Sequence, residues 1–247
     1  MPTADAPVIH LGRSDIYLAG ELSPEDQLTL ILALRVGQPH CPLLIDSSKA
    51  SACLRATIAD MKAGVVRPIG GFPMGVKEVE QRLGVPAQAI RTWGRVDKAD
   101  LWMNMFPKAA KVVLCPAAPR GQLLQAACLA GVLKAPLVVC NGTTKESQRL
   151  RQKLRDWETR DLYVVGNTAG IAKGFDDVRL HRLKDESAVQ TAYLSRRLAK
   201  GKVRTLVITN PADLANKQAG MSTFAPWITL EKKGLLLLTN AAGDNVN

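Results

Sequence analysis

An apolar run, a helical segment and a second apolar run follow one another closely in residues 111–141. Pro116 stops the first run, 112–115, and Asn141-Gly142 ends the second, 136–140. Between them, apolar residues recur with the period of a helix, at positions 123, 124, 127, 128, 131 and 132. Two strands joined by one helix with short connections predict a parallel pair with a right-handed crossover. The same unit can be recognised again before and after this segment, which makes it the strongest constraint on the fold.

The unit repeats with a period of about 95 residues. Matched residues recur at this spacing: Leu43, Leu137 and Leu236; Gly70 and Gly166; and Pro116 and Pro211. The leucines are 94 and 99 positions apart, the glycines 96 and the prolines 95. Self-similarity at a fixed period indicates duplicated units that pack by pseudo-symmetry.

The predicted fold class is α/β, with tandem Rossmann-like or flavodoxin-like units, each a small parallel sheet flanked by helices. Aromatic residues make up only 4% of the chain, so the cores are aliphatic, which suits parallel sheets covered on both faces. The expected units are residues 1–95, 96–185 and 186–247. The third is incomplete, since it stops where the other two enter their next helix. We therefore expect the full-length protein to continue.

Capping residues predict where several helices begin. Ser23-Pro24 followed by two acidic residues supplies an N-cap and a first-turn proline. Serines are predicted to cap three further helices: Ser47-Ser48, Ser187 and Ser222. The segment 178–183 is predicted to be a short extended piece.

The chain is strongly basic, with a net charge of +11 and a pI of about 9.6. A positive field favours anionic partners such as nucleic acid, phosphate polymers, acidic glycans or an anionic lipid surface. A basic solvated surface without a partner is the alternative. No apolar stretch is long enough to predict a transmembrane helix. Residues 1–12 lack a signal-peptide pattern, so either the protein is cytoplasmic or a signal has been removed.

Motifs for catalysis, metal binding or cofactor binding are not found. The five cysteines have no metal-ligand spacing, and we expect Cys115, Cys128 and Cys140 to be buried. The three histidines, His10, His40 and His181, are far apart and are expected at the surface or at strand edges. No strand is followed by G-x-G-x-x-G, and the glycines of 166–174 lack the spacing of a phosphate-binding loop. We therefore predict no catalytic residue, no metal site and no cofactor.

Two longer segments carry a resemblance to a known family. CLAGVLKAPLVVCN at 128–141 has an Ala/Leu-rich helix, then Ala-Pro and an apolar strand ending in a small polar residue. VVRPIGGFPMGVKEVEQRLG at 65–84 has an apolar strand ending in Gly-Gly and then a short helix. WGRVDKAD at 93–100 approximates a Gly-x-Asp-Arg-like turn, and Thr191-Ala192 echoes a helix motif. Each unit therefore resembles the bacterial cell-wall-binding repeat type 2. The resemblance implies three similar subdomains around a pseudo-threefold axis, non-covalent attachment to anionic cell-wall polymers, and a location at the cell surface.

Ligands of open parallel sheets bind at the carboxyl ends of the strands, and small polar residues are found there in this chain. The candidate ligand-binding residues are Ser47, Ser48, Lys49, Asn141, Gly142, Thr143, Thr144, Lys145, Asn210 and Asn240. Residues 141–145 precede a helix, whose free N–H groups and dipole favour an anion that Lys145 would assist. Simple N-capping by Thr143 or Thr144 is the alternative.

The function predicted from these features is a non-enzymatic binding or anchoring module for an anionic cell-wall glycan or phosphate polymer. Two alternatives stay open: an α/β enzyme domain acting on a phosphorylated or nucleotide-like substrate, and a scaffold whose basic faces contact a partner protein or further domains of its own chain. The basic helix at 145–160 is either a polyanion-binding surface or a solvated face. It has no nucleic-acid motif, and we expect its Trp157 to pack at the helix end.

Overall fold

Nine strands and seven helices lie within the part of the chain that the computed structural model describes, which is residues 15–37, 41–91, 106–140, 144–166, 175, 177–211 and 221–239. The strands are β1 (Asp15–Ala19), β2 (Leu43–Ile45), β3 (Val65–Ile69), β4 (Lys111–Cys115), β5 (Leu137–Val139), β6 (Asp161–Val165), β7 (Arg179–Leu183), β8 (Leu206–Thr209) and β9 (Leu235–Leu238). The helices are α1 (Pro24–Gly37), α2 (Ser51–Asp60), α3 (Val76–Leu83), α4 (Arg120–Leu133), α5 (Thr144–Asp156), α6 (Glu186–Leu198) and α7 (Met221–Glu231), with a 3₁₀ turn (Ser48–Ala50) before α2.

The strands form three separate sheets in which every pair of named strands is parallel. Their orders are β2-β1-β3, β5-β4-β6-β7 and β8-β9. Helices connect the consecutive strands of each sheet, as parallel pairing requires, except that most of the connection from β6 to β7 lies outside the described residues. The α/β class with several small parallel sheets flanked by helices is therefore confirmed. The boundaries 1–95, 96–185 and 186–247 stay predictions.

The internal repeat is visible in the strand register. The matched leucines lie opposite matched residues of the neighbouring strand in all three sheets: Tyr17 with Leu43, Val113 with Leu137 and Val207 with Leu236. In the first two sheets the third strand also joins at one register, since Tyr17 pairs with Arg67 and Val113 with Tyr163. One β/α building block therefore recurs at equivalent positions in its sheets.

Equivalent helices also end in the same way. Four residues have left-handed backbone conformations with φ between 51° and 55°: Lys62 and Glu158 after α2 and α5, and Lys134 and Lys233 after α4 and α7. In each case the next residue donates a hydrogen bond to a carbonyl five residues earlier, for example Ala135 N to Ala130 O at 2.9 Å and Gly234 N to Thr229 O at 2.8 Å. This bond is typical of a Schellman helix end. Local geometry was therefore kept in the copies although glycine is absent from these positions.

The three helices α1, α4 and α7 each follow the first strand of their unit, and they contact one another pairwise. Helix α4 is the most enclosed, with eleven of its fourteen residues buried. Gly131 allows α7 to come close, because a β-carbon there would overlap the Leu230 side chain. Three copies arranged around a pseudo-threefold axis are expected to meet through such equivalent helices. We call α1, α4 and α7 the axial helices.

Other helices cover the outer faces of the first two sheets. Ile16 and Leu18 of β1 pack in one cluster with residues of α2 and α3. Val112 and Leu114 of β4 pack in another with Leu150 and Leu154 of α5. Helix α6 packs along α4, and its Tyr193 Oη donates to Gly234 O, just before β9, at 2.9 Å. The axial helices and the outer helices thus sandwich these two sheets.

Candidate anion-binding site

The predicted ligand-binding residues that the structure describes follow strands in three different units. Ser47, Ser48 and Lys49 come after β2, Thr144 and Lys145 open α5, and Asn210 comes after β8. The other four, Asn141, Gly142, Thr143 and Asn240, lie outside the described residues. A ligand-binding role for the ten residues stays a prediction.

An ion pair neutralises the carboxylate that precedes Ser47. Arg82 of α3 donates from Nη2 to Asp46 Oδ1 at 2.6 Å, and both side chains are largely buried. Ser47 is exposed, has an extended backbone with φ of −150°, and makes no capping hydrogen bond with its side chain. The exposed Lys49 follows it in the 3₁₀ turn. This strand end is thus compatible with an anion, because Asp46, the only acidic residue among its described sequence neighbours, is already paired with Arg82.

Helix α5 is amphipathic. Its buried side includes Leu150 and Leu154, and Trp157 just beyond the helix is 1% exposed, as expected for a residue packed at the helix end. We call the residues Arg149, Arg151, Lys153 and Arg155 the α5 basic face. The Arg151 guanidinium lies 5.4 Å from the centre of the Phe175 ring, and Arg155 lies 3.7 Å from Asp177. The face is therefore cationic but offers no exposed tryptophan on which a base would stack.

A polar cluster joins β6 to β7. Asp161 accepts a hydrogen bond from Arg179 Nε at 2.6 Å and contacts His181 Nε2 at 2.7 Å. His181 stacks on Tyr163 with ring centres 4.4 Å apart, and Arg196 of α6 lies 5.1 Å from the Tyr163 ring. The hydrogen bonds from His181 and Arg179 lower the pKa of Asp161. These hydrogen bonds and the stacked rings join β6 to β7.

Sequence reasoning identified only His181 of this cluster, at a strand edge, and β7 is indeed an edge strand. The missed signal is the alternation of polar side chains along two strands. Asp161 and Tyr163 alternate with apolar residues on β6, and Arg179 and His181 stand on either side of Leu180 on β7. Since the strands pair with Asp161 opposite Arg179, these side chains share one face.

Three of the five cysteines are buried, Cys41 is half-buried and Cys53 is exposed. Cys115 and Cys128 are completely buried and Cys140 is 5% exposed, as predicted. Burial raises the pKa of the Cys115 and Cys128 thiols far above the ordinary value, and burial raises that of Cys41 to about 11. Thiols in such surroundings stay protonated and are poor nucleophiles. Within the described residues, no group of three or more potential ligands is arranged for a metal ion, and no helix is long and apolar enough to cross a membrane.

No family model matches the sequence, and no curated protein matches it. Among solved structures, Cwp8 from Clostridium difficile matches with a TM-score of 0.59 at 16% sequence identity, covering 92% of this chain and 40% of the Cwp8 chain. The fold resembles that of Cwp8, a cell-wall protein. The chain thus spans well under half of that protein. A sugar ABC transporter from Yersinia enterocolitica subsp. enterocolitica 8081 matches at 13% identity over 95% of this chain and 99% of its own, but its TM-score of 0.22 carries no argument.

Proposed function

We propose that this chain is a non-enzymatic module that binds an anionic polymer of a cell wall or cell surface. The observation that carries the proposal is the likeness of its fold to the cell-wall protein Cwp8 over 92% of the chain. The resemblance of the repeats to cell-wall-binding repeat type 2 supports the same function from the sequence. Under this proposal the protein acts at the cell surface.

The distribution of charge supports an anionic ligand. The chain has a net charge of +11, and Arg149 and Arg155 of the α5 basic face are exposed. A polymer with repeated negative charges, such as an acidic glycan or a phosphate polymer, would contact several of these cations at once. The ten candidate residues at strand ends are proposed to add contacts, because N–H groups at a helix start favour an anion. Binding of this kind weakens as salt screens the charges.

Sedimentation with purified bacterial cell walls tests the proposal. One sample of walls is left intact, and a second is extracted to remove its anionic polymers. We expect the chain to sediment with intact walls at low salt, to be released as the salt concentration rises, and to stay in solution with extracted walls. Equal binding to both kinds of wall, or no binding at low salt, would contradict the proposal.

A pair of variants tests whether the α5 basic face takes part. The double variant Arg149→Gln/Arg155→Gln removes two charges from this face. The control Lys77→Gln/Lys202→Gln removes two charges from exposed residues elsewhere. We expect the first variant to be released from intact walls at lower salt than the control. Identical release profiles would exclude this face as a contact surface.

A further inference from the structure

An open pocket of about 470 Å³ lies where the carboxyl-terminal ends of the axial helices meet α6. Its floor is apolar and includes Val132 and Leu230. Five cationic residues also line it: Arg35, Lys134, Arg197, Lys200 and Lys233. None of the described residues that line the pocket carries a carboxylate. We call this the axial pocket, and its volume is within the range of ordinary ligand sites.

Part of this positive charge stabilises the carboxyl-terminal ends of the helices. Backbone carbonyls at the ends of helices lack partners within the helix and attract cations. Lys200 Nζ donates to Val132 O at 2.5 Å, and Arg197 Nη2 donates to Lys233 O. Arg35 forms a 2.9 Å ion pair with Glu231, which faces a neighbouring groove. These contacts leave other donors, because an ammonium group has three and a guanidinium group five.

Two of the remaining donors are buried without an acceptor. Arg197 is 6% exposed, and its Nε has no hydrogen-bond partner. Arg35 Nε is likewise buried and without a partner. Two guanidinium N–H groups among the residues that line this pocket thus lack the partner that buried polar groups usually have. Such a donor is costly to leave unsatisfied.

The cations also repel one another. Burial, and then the positive charges of Lys134, Lys111 and Arg197, lower the pKa of Lys200. Like charges gathered in one pocket destabilise the fold unless a counter-charge is bound. A ligand with several negatively charged oxygens would relieve this repulsion and would contact the exposed Lys134 and Lys233.

We infer that the axial pocket binds a phosphate group. Two guanidinium groups and three lysines fit a phosphate, since arginine donates two parallel hydrogen bonds to its oxygens and lysine contributes a compact charge. The site lies at the helix carboxyl-terminal ends and therefore at the amino-terminal edge of the strands. The six described residues among the ligand-binding residues predicted from sequence follow the carboxyl ends of strands, at the opposite edge, so this site goes beyond the proposed function.

The phosphate group has two possible sources, a free phosphate ion or a phosphate within a polymer, and calorimetric titration of the full chain separates them. Inorganic phosphate and long-chain polyphosphate are titrated at one fixed ionic strength. We expect both to bind the wild-type chain. Polyphosphate binding at least about tenfold tighter than inorganic phosphate assigns the pocket to a polymer, and equal affinity assigns it to the free ion. Failure of both to bind would overturn the inference.

A matched pair of variants locates the binding. Lys134→Gln/Lys233→Gln removes two exposed lysines of the pocket and spares the buried arginine. Lys62→Gln/Lys232→Gln removes two exposed lysines outside it, and Lys62 has the same left-handed backbone as the pocket lysines. We expect the first variant to lose about tenfold in phosphate affinity, because hydrogen bonds to charged groups are strong, and the control to stay within about twofold.

An equal loss in both variants would show a diffuse charge effect and overturn the inference. Thermal unfolding of both variants verifies that they fold. Cell walls are absent from this experiment, so its failure would leave the sedimentation test of the proposed function unaffected.

Discussion

Ile208 on β8 stands at the register position that Leu114 occupies on β4, yet Ile208 is 66% exposed and Leu114 is completely buried. Helix α5 covers Leu114. In the third sheet, within the described residues, no helix follows β9 to cover the same face. The same difference separates Leu206, which is 59% exposed, from Val112. Among the described residues, equivalent strand positions thus differ in burial because a helix covers this face in the second sheet and none does in the third.

This difference in burial predicts that substitution by alanine lowers the free energy of unfolding by different amounts at the two positions. Leu114→Ala should lower the free energy of unfolding by about 2–5 kcal/mol, the range for a large-to-small change in a core. Ile208→Ala should change it by no more than about 0.5 kcal/mol, as for an ordinary surface position. Denaturant unfolding of both variants measures the two costs. A large loss from Ile208→Ala would mean that this face is covered.

Removing one partner of the ion pair between β1 and β3 should lower stability strongly. Arg67 Nη2 and Nε donate to Asp15 Oδ2 at 2.7 and 3.1 Å, and the two side chains are 12% and 10% exposed. Arg67→Ala would leave the Asp15 carboxylate buried without its partner. We expect the free energy of unfolding to fall by about 3–5 kcal/mol, measured by denaturant unfolding.

The control for that prediction is an exposed ion pair of similar length. Lys108 Nζ lies 2.6 Å from Glu158 Oε1, with side chains 70% and 65% exposed. Solvent screens this pair, so Lys108→Ala should cost less than about 1 kcal/mol. Equal costs for Lys108→Ala and Arg67→Ala would show that the Asp15 carboxylate is solvated.

The contribution of Asp161 should depend on pH. Its folded-state pKa is lowered by hydrogen bonds from His181 and Arg179, so ionised Asp161 stabilises the fold above the unfolded-state pKa of about 4. This stabilisation is lost as the pH falls through the folded-state pKa. Wild-type protein should therefore unfold at a higher denaturant concentration than Asp161→Asn at pH 7, and the gap should shrink below about pH 4. A gap that persists unchanged in acid would contradict this role.

The N-cap residues in the sequence predicted some helix starts correctly and others incorrectly. The Asp26 N–H donates to Ser23 Oγ at 3.2 Å, and α1 begins at Pro24 as predicted. Helix α6 is capped instead by Asp185, which accepts from Ala188 N at 2.8 Å, so the cap predicted at Ser187 is wrong. Asp and Ser cap about equally well, so two such residues close together leave the choice to the tertiary context.

The other two serine caps were also misplaced. Ser222 lies inside α7 and is buried, and its hydroxyl has no partner. Ser47 precedes a 3₁₀ turn, and α2 starts only at Ser51. The segment 178–183 was predicted merely as extended, whereas 179–183 form β7, the fourth strand of the second sheet. Pairing with β6 makes this segment a strand of the sheet, and the sequence of the six residues alone does not show which strand they pair with.

The repeat, the strands and the fold class could be predicted because buried apolar runs are local features of a sequence. The axial pocket could not be predicted from the sequence. Its cations come from positions 35, 134, 197, 200 and 233, and each alone resembles an ordinary residue at a helix end. Only the packing of the axial helices brings them together. A period-based comparison would have found the shared lysines at helix ends, Lys134 and Lys233, but not Arg197, whose Nε lacks a hydrogen-bond partner.

The central claim is that this chain holds an anionic polymer by charge. The most direct measurement is the equilibrium constant for binding of the wild-type chain to an isolated, soluble cell-wall polymer at a series of salt concentrations. The account predicts measurable binding at low salt and a logarithm of the binding constant that falls steadily with the logarithm of the salt concentration. Binding that is indifferent to salt, or no binding at low salt, would contradict it.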